Sequence, residues 1–271
     1  MADYSIWPWK VIIPSYSRST YIITHTLQLC KKYSVPQEII YIFVATNQRE
    51  EYENTLKENE FQNVQIITGP VGLKNMRNFI TDYFDEGTPM LCMDDDISEL
   101  YMLEEDESVS NINTAARWKL RSLRADDFYT FTTYAYNEMR KHKRDLFGIY
   151  PVKNGFFMKD LPAITYNARF CVGAFWGIIN CKIKLTLEEK EDMERSILFT
   201  IKDNGVLRLN NITLATKYYK MVGGMQAHLT HEDRVKNSIE SAHALVAKYP
   251  NICKLYNGKK NGICEVRFKV Q

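Results

Sequence analysis

Between residues 10 and 100, short apolar runs alternate four times with segments of helical spacing, and the last run ends on Asp94-Asp95-Asp96. The apolar runs cover residues 10–14, 39–44, 64–67 and 90–93; the intervening segments cover 20–33, 49–59 and 73–84. Pro14 stops the first run and Pro36 breaks the first helical segment. Ile22, Ile23, Leu27 and Cys30 recur at the spacing of one helical face. Continuous apolar runs of this length suit strands buried on both faces. Their alternation with helices predicts a mainly parallel sheet with right-handed crossovers.

After residue 100 the alternation stops. Residues 104–113 are polar and acidic and read as a mobile surface loop. Residues 125–143 have helical spacing and run into Arg140-Lys141-His142-Lys143-Arg144. Residues 146–157 read as a short strand region, and 170–180 as an apolar strand pair or a strand with a glycine turn. Thr186-Leu187-Glu188-Glu189 has the form of a capping box and predicts a helix to about Lys202, closed by Asn204-Gly205. Residues 206–216 alternate like a strand, 218–226 contain Gly223-Gly224, and a last helix spans about 233–248.

Composition narrows the functional classes. The 271 residues are 45% hydrophobic and 25% charged, which is globular. A formal charge of +2 gives no overall field of the kind a general nucleic-acid binder carries. No apolar run approaches the ~20 residues of a membrane span, and the start lacks a basic region followed by an apolar core. Six scattered cysteines form no CxxC pair, which argues against zinc and for a reducing, cytosolic setting.

Three carboxylates at a strand end repel one another unless a cation or solvent separates them. Ligands of open α/β sheets collect at such ends, and a hard divalent ion bridging to a phosphate is one solution. An ordinary acidic helix start, with Asp96 capping Ile97-Ser98-Glu99-Leu100, is the other.

Four segments resemble the GT-A glycosyltransferases. They are Val11-Ile12-Ile13-Pro14-Ser15-Tyr16-Ser17-Arg18, Gly72-Leu73-Lys74-Asn75-Met76-Arg77-Asn78, Asp94-Asp95-Asp96, and Glu191-Asp192. Ile-Pro-Ser-Tyr, Ile-Phe-Val, Arg-Asn and Met-Asp-Asp-Asp-Ile also resemble a narrower group. These are the glycosyltransferases associated with base-oxidising (TET/JBP) dioxygenases in phages and eukaryotes. The resemblance implies one α/β domain over residues 1–271 with a Rossmann-like, mainly parallel sheet and a smaller acceptor-side sheet. Residues to about 103 would bind the nucleotide-sugar and 104–271 the acceptor. The implied reaction is transfer of a hexose from a UDP-sugar, UDP-glucose above all, to a hydroxymethylated pyrimidine such as 5-hydroxymethylcytosine in DNA. It would take place in the cytoplasm of a phage-infected host, or in a eukaryotic nucleus. A glycan, lipid or protein acceptor, a nucleotidyltransferase, and a non-catalytic DNA-binding module are the alternatives.

The same resemblance implies residue roles. Asp94 and Asp96 would hold Mn²⁺ or Mg²⁺, joined by a C-terminal histidine, His228 or else His231. Oxygen donors suit either ion. Side chains at i and i+2 of a strand share a face, so Asp94 and Asp96 would point together and Asp95 elsewhere. Pro14, Ser15, Tyr16, Arg18, Gly72, Arg77, Asp94 and Asp95 would surround the donor. Where many GT-A enzymes carry an acid after the second strand, this chain reads Val44-Ala45-Thr46-Asn47, so Thr46 or Asn47 would meet the nucleotide base. Of Glu191 and Asp192, either could take the acceptor proton, with Asp192 the first choice; by composition alone they belong to a charged helix face. Arg117, Trp118, Arg121 and Arg124, with Lys141, Lys143 and Arg144, interleave basic and aromatic groups as DNA contacts do, with Trp118, Phe128, Tyr129 or Tyr134 free to stack on a base. Basic helix ends are also ordinary. At most one of Phe175 and Trp176 should face a pocket.

Overall fold

The computed structural model describes residues 7–216, 223–224, 230–256 and 264–269, the side chains of 231 and 234 excepted. In chain order, β1 (Lys10–Pro14) leads to α1 (residues 19–32, with a π-helical turn at Ile23–Leu27), β2 (Ile40–Ala45), α2 (Arg49–Glu58), β3 (Gln65–Gly69), α3 (Leu73–Tyr83) and β4 (Pro89–Met93). Then come β5 (Glu99–Glu105), β6 (Trp118–Ser122), α4 (Ala125–His142), β7 (Leu146–Ile149), α5 (Gly155–Met158), β8 (Ile164–Thr165) and β9 (Phe175–Ile179). The chain continues through α6 (Glu191–Asp203), β10 (Leu207–Leu209), β11 (Ile212–Ala215), α7 (His231–Lys248), β12 (Cys253–Tyr256) and β13 (Glu265–Phe268).

Eight strands form one sheet in the order β3-β2-β1-β4-β9-β7-β10-β8. Pairings β3-β2, β2-β1, β1-β4 and β7-β10 are parallel, and β9 and β8 run the other way. A smaller antiparallel sheet joins β11, β5 and β6. This is the mainly parallel sheet with a smaller companion that the resemblance implies. Strands from both halves of the sequence share the large sheet.

The run Val11-Ile12-Ile13 shows why β1 carries no polar face. Val11 and Ile13 pack into one core and Ile12 into the other. α1 and α4 cover the first face with Ile22, Leu27, Phe128 and Met139. α3 and α6 cover the second with Met76, Ile80 and Phe199. A third cluster joins Met193 and Ile197 of α6 to Leu245 and Cys253. Packing across the middle of the sheet is tight. A Cβ on Gly177 of β9 would lie 1.8 Å from Cε1 of Phe147, which is fully buried. Gly177→Ala is therefore expected to cost about 1–3 kcal/mol through overpacking, read as a lower urea midpoint with unchanged slope.

Several expectations are corrected. Asp96 caps no helix, because residues 94–98 form a turn into β5. The acidic loop starts as a strand: β5 and β6 make a hairpin in which Glu104 and Glu105 face Lys119 and Trp118 in register. Residues 170–180 hold a turn at Gly173-Ala174 followed by one strand, the second of the two expected forms. Residues 206–216 split into β10 and β11, which belong to different sheets. The helix predicted from Thr186 begins at Glu191. Instead of a local capping box, buried Glu194 reaches back to the Thr186 and Leu187 N–H groups at 2.8 and 3.0 Å. Asn78 of α3 clamps the preceding loop through both Leu185 backbone groups. Lys190 then turns into the helix with φ 59°.

Candidate active site

The parallel strands β1, β2, β3 and β4 all point the same way, so Ser15, Thr46 and Asp94 emerge at one edge of the sheet. From β1 the chain order runs outward to β2 and β3 on one side and to β4 on the other. The crevice of such a sheet opens at that reversal, between the ends of β1 and β4.

The three aspartates leave β4 in different directions. The strand ends at Met93, so its two-residue period no longer governs them and their partners do. Asp94 Oδ1 accepts from Arg77 Nη2 at 2.9 Å, with 37% of its side chain open to solvent. Asp95, 5% exposed, accepts from Ser15 Oγ at 2.6 Å and Arg18 Nη1 at 2.7 Å. Asp96 accepts from Thr216 Oγ1 and lies 3.5 Å from Arg18 Nη1. Thr26 of α1 binds the turn, donating to the Asp94 carbonyl and accepting from the Ile97 N–H. Burial raises the Asp94 pKa to about 7, with Asp96, Asp95 and Glu191 adding and Arg77 opposing. The open 37% admits water to the remaining oxygen and tempers that rise.

Arg77 is 4% exposed and stands behind Asp94 rather than in the crevice. Its Nη2 also donates to the Gly173 carbonyl at 3.3 Å, and its Nε lies 3.9 Å from Glu191 Oε1. Arg77 thus bridges two carboxylates. Glu191 is held on its other side by Arg195 at 3.2 Å, an i,i+4 pair within α6. The Arg195 guanidinium lies 3.7 Å from the Trp176 ring, and that of Arg77 5.6 Å from it. Asp192 accepts from the Gly173 N–H at 3.3 Å and the Met193 N–H at 2.8 Å. Burial raises its pKa, Glu191 adds to the rise, and Arg195 opposes it. Gly173 thus joins both acids, its carbonyl on Arg77 and its N–H on Asp192.

Other expected donor residues divide between exposed and buried. Thr46 and Asn47 are exposed at the end of β2. Tyr16 is half-buried, with its carbonyl taking the Gly224 N–H. Pro14 and Ser15 are buried, and Ser15 serves Asp95 and Tyr52 rather than the crevice. Gly72, φ 97°, opens α3, whose first turn already binds the Glu188 carboxylate through the Lys74 N–H.

Among the described residues no group of three or more His, Cys, Asp and Glu is arranged around a common ion. Asp94, with 37% of its side chain open to solvent, offers an oxygen donor of the kind a hard cation takes alongside water and substrate phosphates. His228 lies outside the described residues, as does the side chain of His231.

The chain matches no protein-family model and no curated protein. It is similar to S. aureus TarS 1–349 in complex with UDP-GlcNAc, at 15% identity and a TM-score of 0.49, over 88% of this chain and 66% of that one. It is similar at 14% identity and a TM-score of 0.46 to S. aureus TarS, where it covers 88% of itself and spans 39% of that chain. It is also similar to 4-diphosphocytidyl-2C-methyl-D-erythritol synthase from Anaerococcus prevotii, at 10% identity and a TM-score of 0.42, over 89% and 99% of the two chains. The chain therefore spans less than two thirds of the TarS structures. At identities this low, function rests on the residues of this chain themselves.

The expected nucleic-acid residues are largely engaged. Arg117 pairs with Glu105, Arg121 with Glu104 and Asp127, Arg124 with Asp127, and Lys141 with Glu138. Arg144 binds the carbonyls of His142, Tyr166 and Asn204. Trp118 Nε1 donates to the Ile112 carbonyl, and Lys143 is exposed. Phe128, expected as a stacking platform, is fully buried against Tyr33, and both Phe175 and Trp176 are buried. No helix among the described residues is long and apolar enough to cross a membrane.

Sequence reasoning missed Ser15–Tyr52, Thr26, Thr216 and Arg195. Only Arg195 carried a local signal, its i,i+4 spacing from Glu191.

Proposed function

We propose that the protein is a glycosyltransferase that moves a hexose, glucose from UDP-glucose, to the hydroxymethyl group of a modified pyrimidine in DNA. One observation carries the reading: a single guanidinium, Arg77, joins the carboxylate at the end of β4 to the carboxylate pair that opens α6. Glycosyl transfer from a nucleotide diphosphate needs an acid cluster at the leaving group and a base at the acceptor hydroxyl, side by side. This chain brings the two together from residues about a hundred positions apart.

Asp94 and Asp96 would hold Mn²⁺ or Mg²⁺, which supplies Lewis-acid stabilisation of the leaving diphosphate. Thr46 and Asn47 stand at the nucleotide-base side of the crevice, and residues to about 103 form the donor half. Asp192 takes the acceptor proton. Glu191, locked between Arg77 and Arg195, holds its charge in place and orients Arg77. A base placed opposite the leaving group gives inversion. A target base in a duplex must leave the stack to reach Asp192.

The test incubates the protein with Mn²⁺, a panel of nucleotide-sugars and hydroxymethylated DNA, and weighs the released nucleosides. The expected result is a nucleoside heavier by one hexose with wild type and none with Asp96→Ala. Hydrolysis of donor without a modified nucleoside would move the acceptor to a glycan, lipid or protein. Release of sugar phosphate would indicate nucleotidyl transfer.

The pH dependence follows from Asp192. Its pKa lies above the ordinary 3.8, and the base works only when ionised. Activity therefore falls as pH drops, tenfold per unit once below the raised pKa, and the acid limb of kcat lies above pH 3.8. An acid limb at or below that value would remove Asp192 from the role.

A further inference from the structure

Three buried or half-buried arginines of the candidate site face carboxylates. Arg77 faces Asp94 and Glu191, Arg195 faces Glu191, and Arg18 faces Asp95 and Asp96. Arg208, which is buried, and Arg169, which is half-buried, do not. Arg208 projects from the middle of β10 and is 8% exposed. Its Nε donates to Asn210 Oδ1 at 2.7 Å, and its guanidinium lies 5.3 Å from the Tyr150 ring. Arg169 Nε is buried without a hydrogen-bond partner, and its Nη1 reaches only the Ala168 carbonyl at 3.5 Å. Among the described residues neither guanidinium pairs with a carboxylate; the Val206 N–H donates to the Asn167 carbonyl at 3.2 Å, which sets the two segments side by side, and the Arg169 charge reaches Arg208. The segments outside the described residues contain one acidic side chain, Asp3.

Their position ties them to the candidate site. Arg208 is in register with Gly148 of β7, Gly148 with Trp176 of β9, and Trp176 with Cys92 of β4. Residues in register across a sheet share a face. Arg208 thus stands in the row of Trp176, whose ring packs against Arg195. Arg169 precedes Gly173 by four residues, a span of at most ~14 Å, and the Gly173 N–H holds Asp192. Cys171 lies between: a Cβ on Gly148, the residue in register with Arg208, would meet its Sγ at 2.7 Å.

We propose that Arg169 and Arg208 form an anion-binding subsite that takes a phosphate group of the acceptor. A guanidinium buried without a counter-charge destabilises a fold, and an arriving anion supplies the missing charge. The planar fork of arginine matches phosphate oxygens in pairs. Only the word acceptor rests on the glycosyltransferase reading; the anion site stands on the two arginines.

The test is thermal denaturation of the full chain, titrated with inorganic phosphate and, separately, a short single-stranded oligodeoxynucleotide, each against chloride at equal ionic strength. Wild type is expected to gain Tm with at least one of them. A response to phosphate alone marks a free phosphate or phosphomonoester as the source; a response to the oligonucleotide marks a phosphodiester chain. Arg208→Gln and Arg169→Gln are expected to bind at least ~10-fold more weakly, the equivalent of losing one charge-assisted contact. Their unliganded Tm should match or exceed that of wild type, because a like-charge pair has been relieved. Arg208→Lys, which keeps charge without the fork, should fall between. The inference is overturned if neither ligand stabilises wild type, or if the glutamine variants titrate as wild type does, whatever their Tm. Failure of the glycosyltransferase reading shows separately, as absence of UDP-glucose turnover by wild type, and leaves these titrations untouched.

Discussion

Asp192→Asn is expected to lower sugar transfer by about 10²–10⁴-fold, the usual worth of a positioned general base, while UDP binding stays unchanged. The substitution keeps the size of the side chain and one of its two acceptor contacts to the Gly173 and Met193 N–H groups. What it removes is the capacity to accept a proton. Glu191→Gln separates the two acids. Glu191 lies between Arg77 and Arg195 with 7% of its side chain exposed, so its neutral variant loses two ion pairs and lowers Tm along with activity. Asp192→Asn should show the catalytic loss without a comparable fall in Tm. Transfer by Asp192→Asn within tenfold of wild type would shift the proton to Glu191 or to water.

Arg77→Met should produce the largest loss of stability of any single change near the site. Its side chain is 4% exposed and faces Asp94 and Glu191. Removing the cation leaves two carboxylates in a poorly solvated place without their partner, and breaking a buried pair in this way costs about 3–5 kcal/mol. The open side of Asp94 brings the figure toward the lower end. For a chain of this size the loss corresponds to a fall in Tm of roughly 6–20 °C. The sign of its pH dependence follows from Asp94, whose pKa is already raised to about 7. Without Arg77 that pKa rises further, and the cost is that of keeping the carboxylate ionised. The deficit is therefore greatest above neutral pH and shrinks as pH falls and the carboxylate takes up a proton. Urea denaturation at pH 5 and pH 8 measures it. Equal stability of wild type and variant at pH 8 would mean that Arg77 carries no net interaction with either acid.

The N-terminal part of the fold, residues 10–93, was legible residue by residue. Hydrophobic runs and helical periodicity are local signals, and β1 to β4 with α1 to α3 lie within a few residues of their expected bounds. The later half was harder because its elements depend on distant partners. Alternation across 206–216 announced a strand, but nothing local told β10 from β11, whose neighbours are β7 and β5. The Thr186 capping box failed for the same reason. Asn78, more than a hundred residues earlier, holds the loop away from α6. The basic and acidic runs of the β5–β6 hairpin looked like separate surface features until their register set them against each other.

The sequence by itself determined the chemical inventory and its order: apolar strands buried on both faces, three acids at the end of the fourth, and a Glu-Asp pair on a later helix. Only the tertiary structure decided which charges meet. It set Arg77 between Asp94 and Glu191, turned Asp95 inward onto Arg18 and Ser15, and left Arg208 without a paired carboxylate among the described residues. Backbone periodicity is written in neighbouring residues. Coulomb interaction and burial depend on distance in space, and apart from Glu191–Arg195 the pairs named at the site reach from 17 residues along the chain to 120.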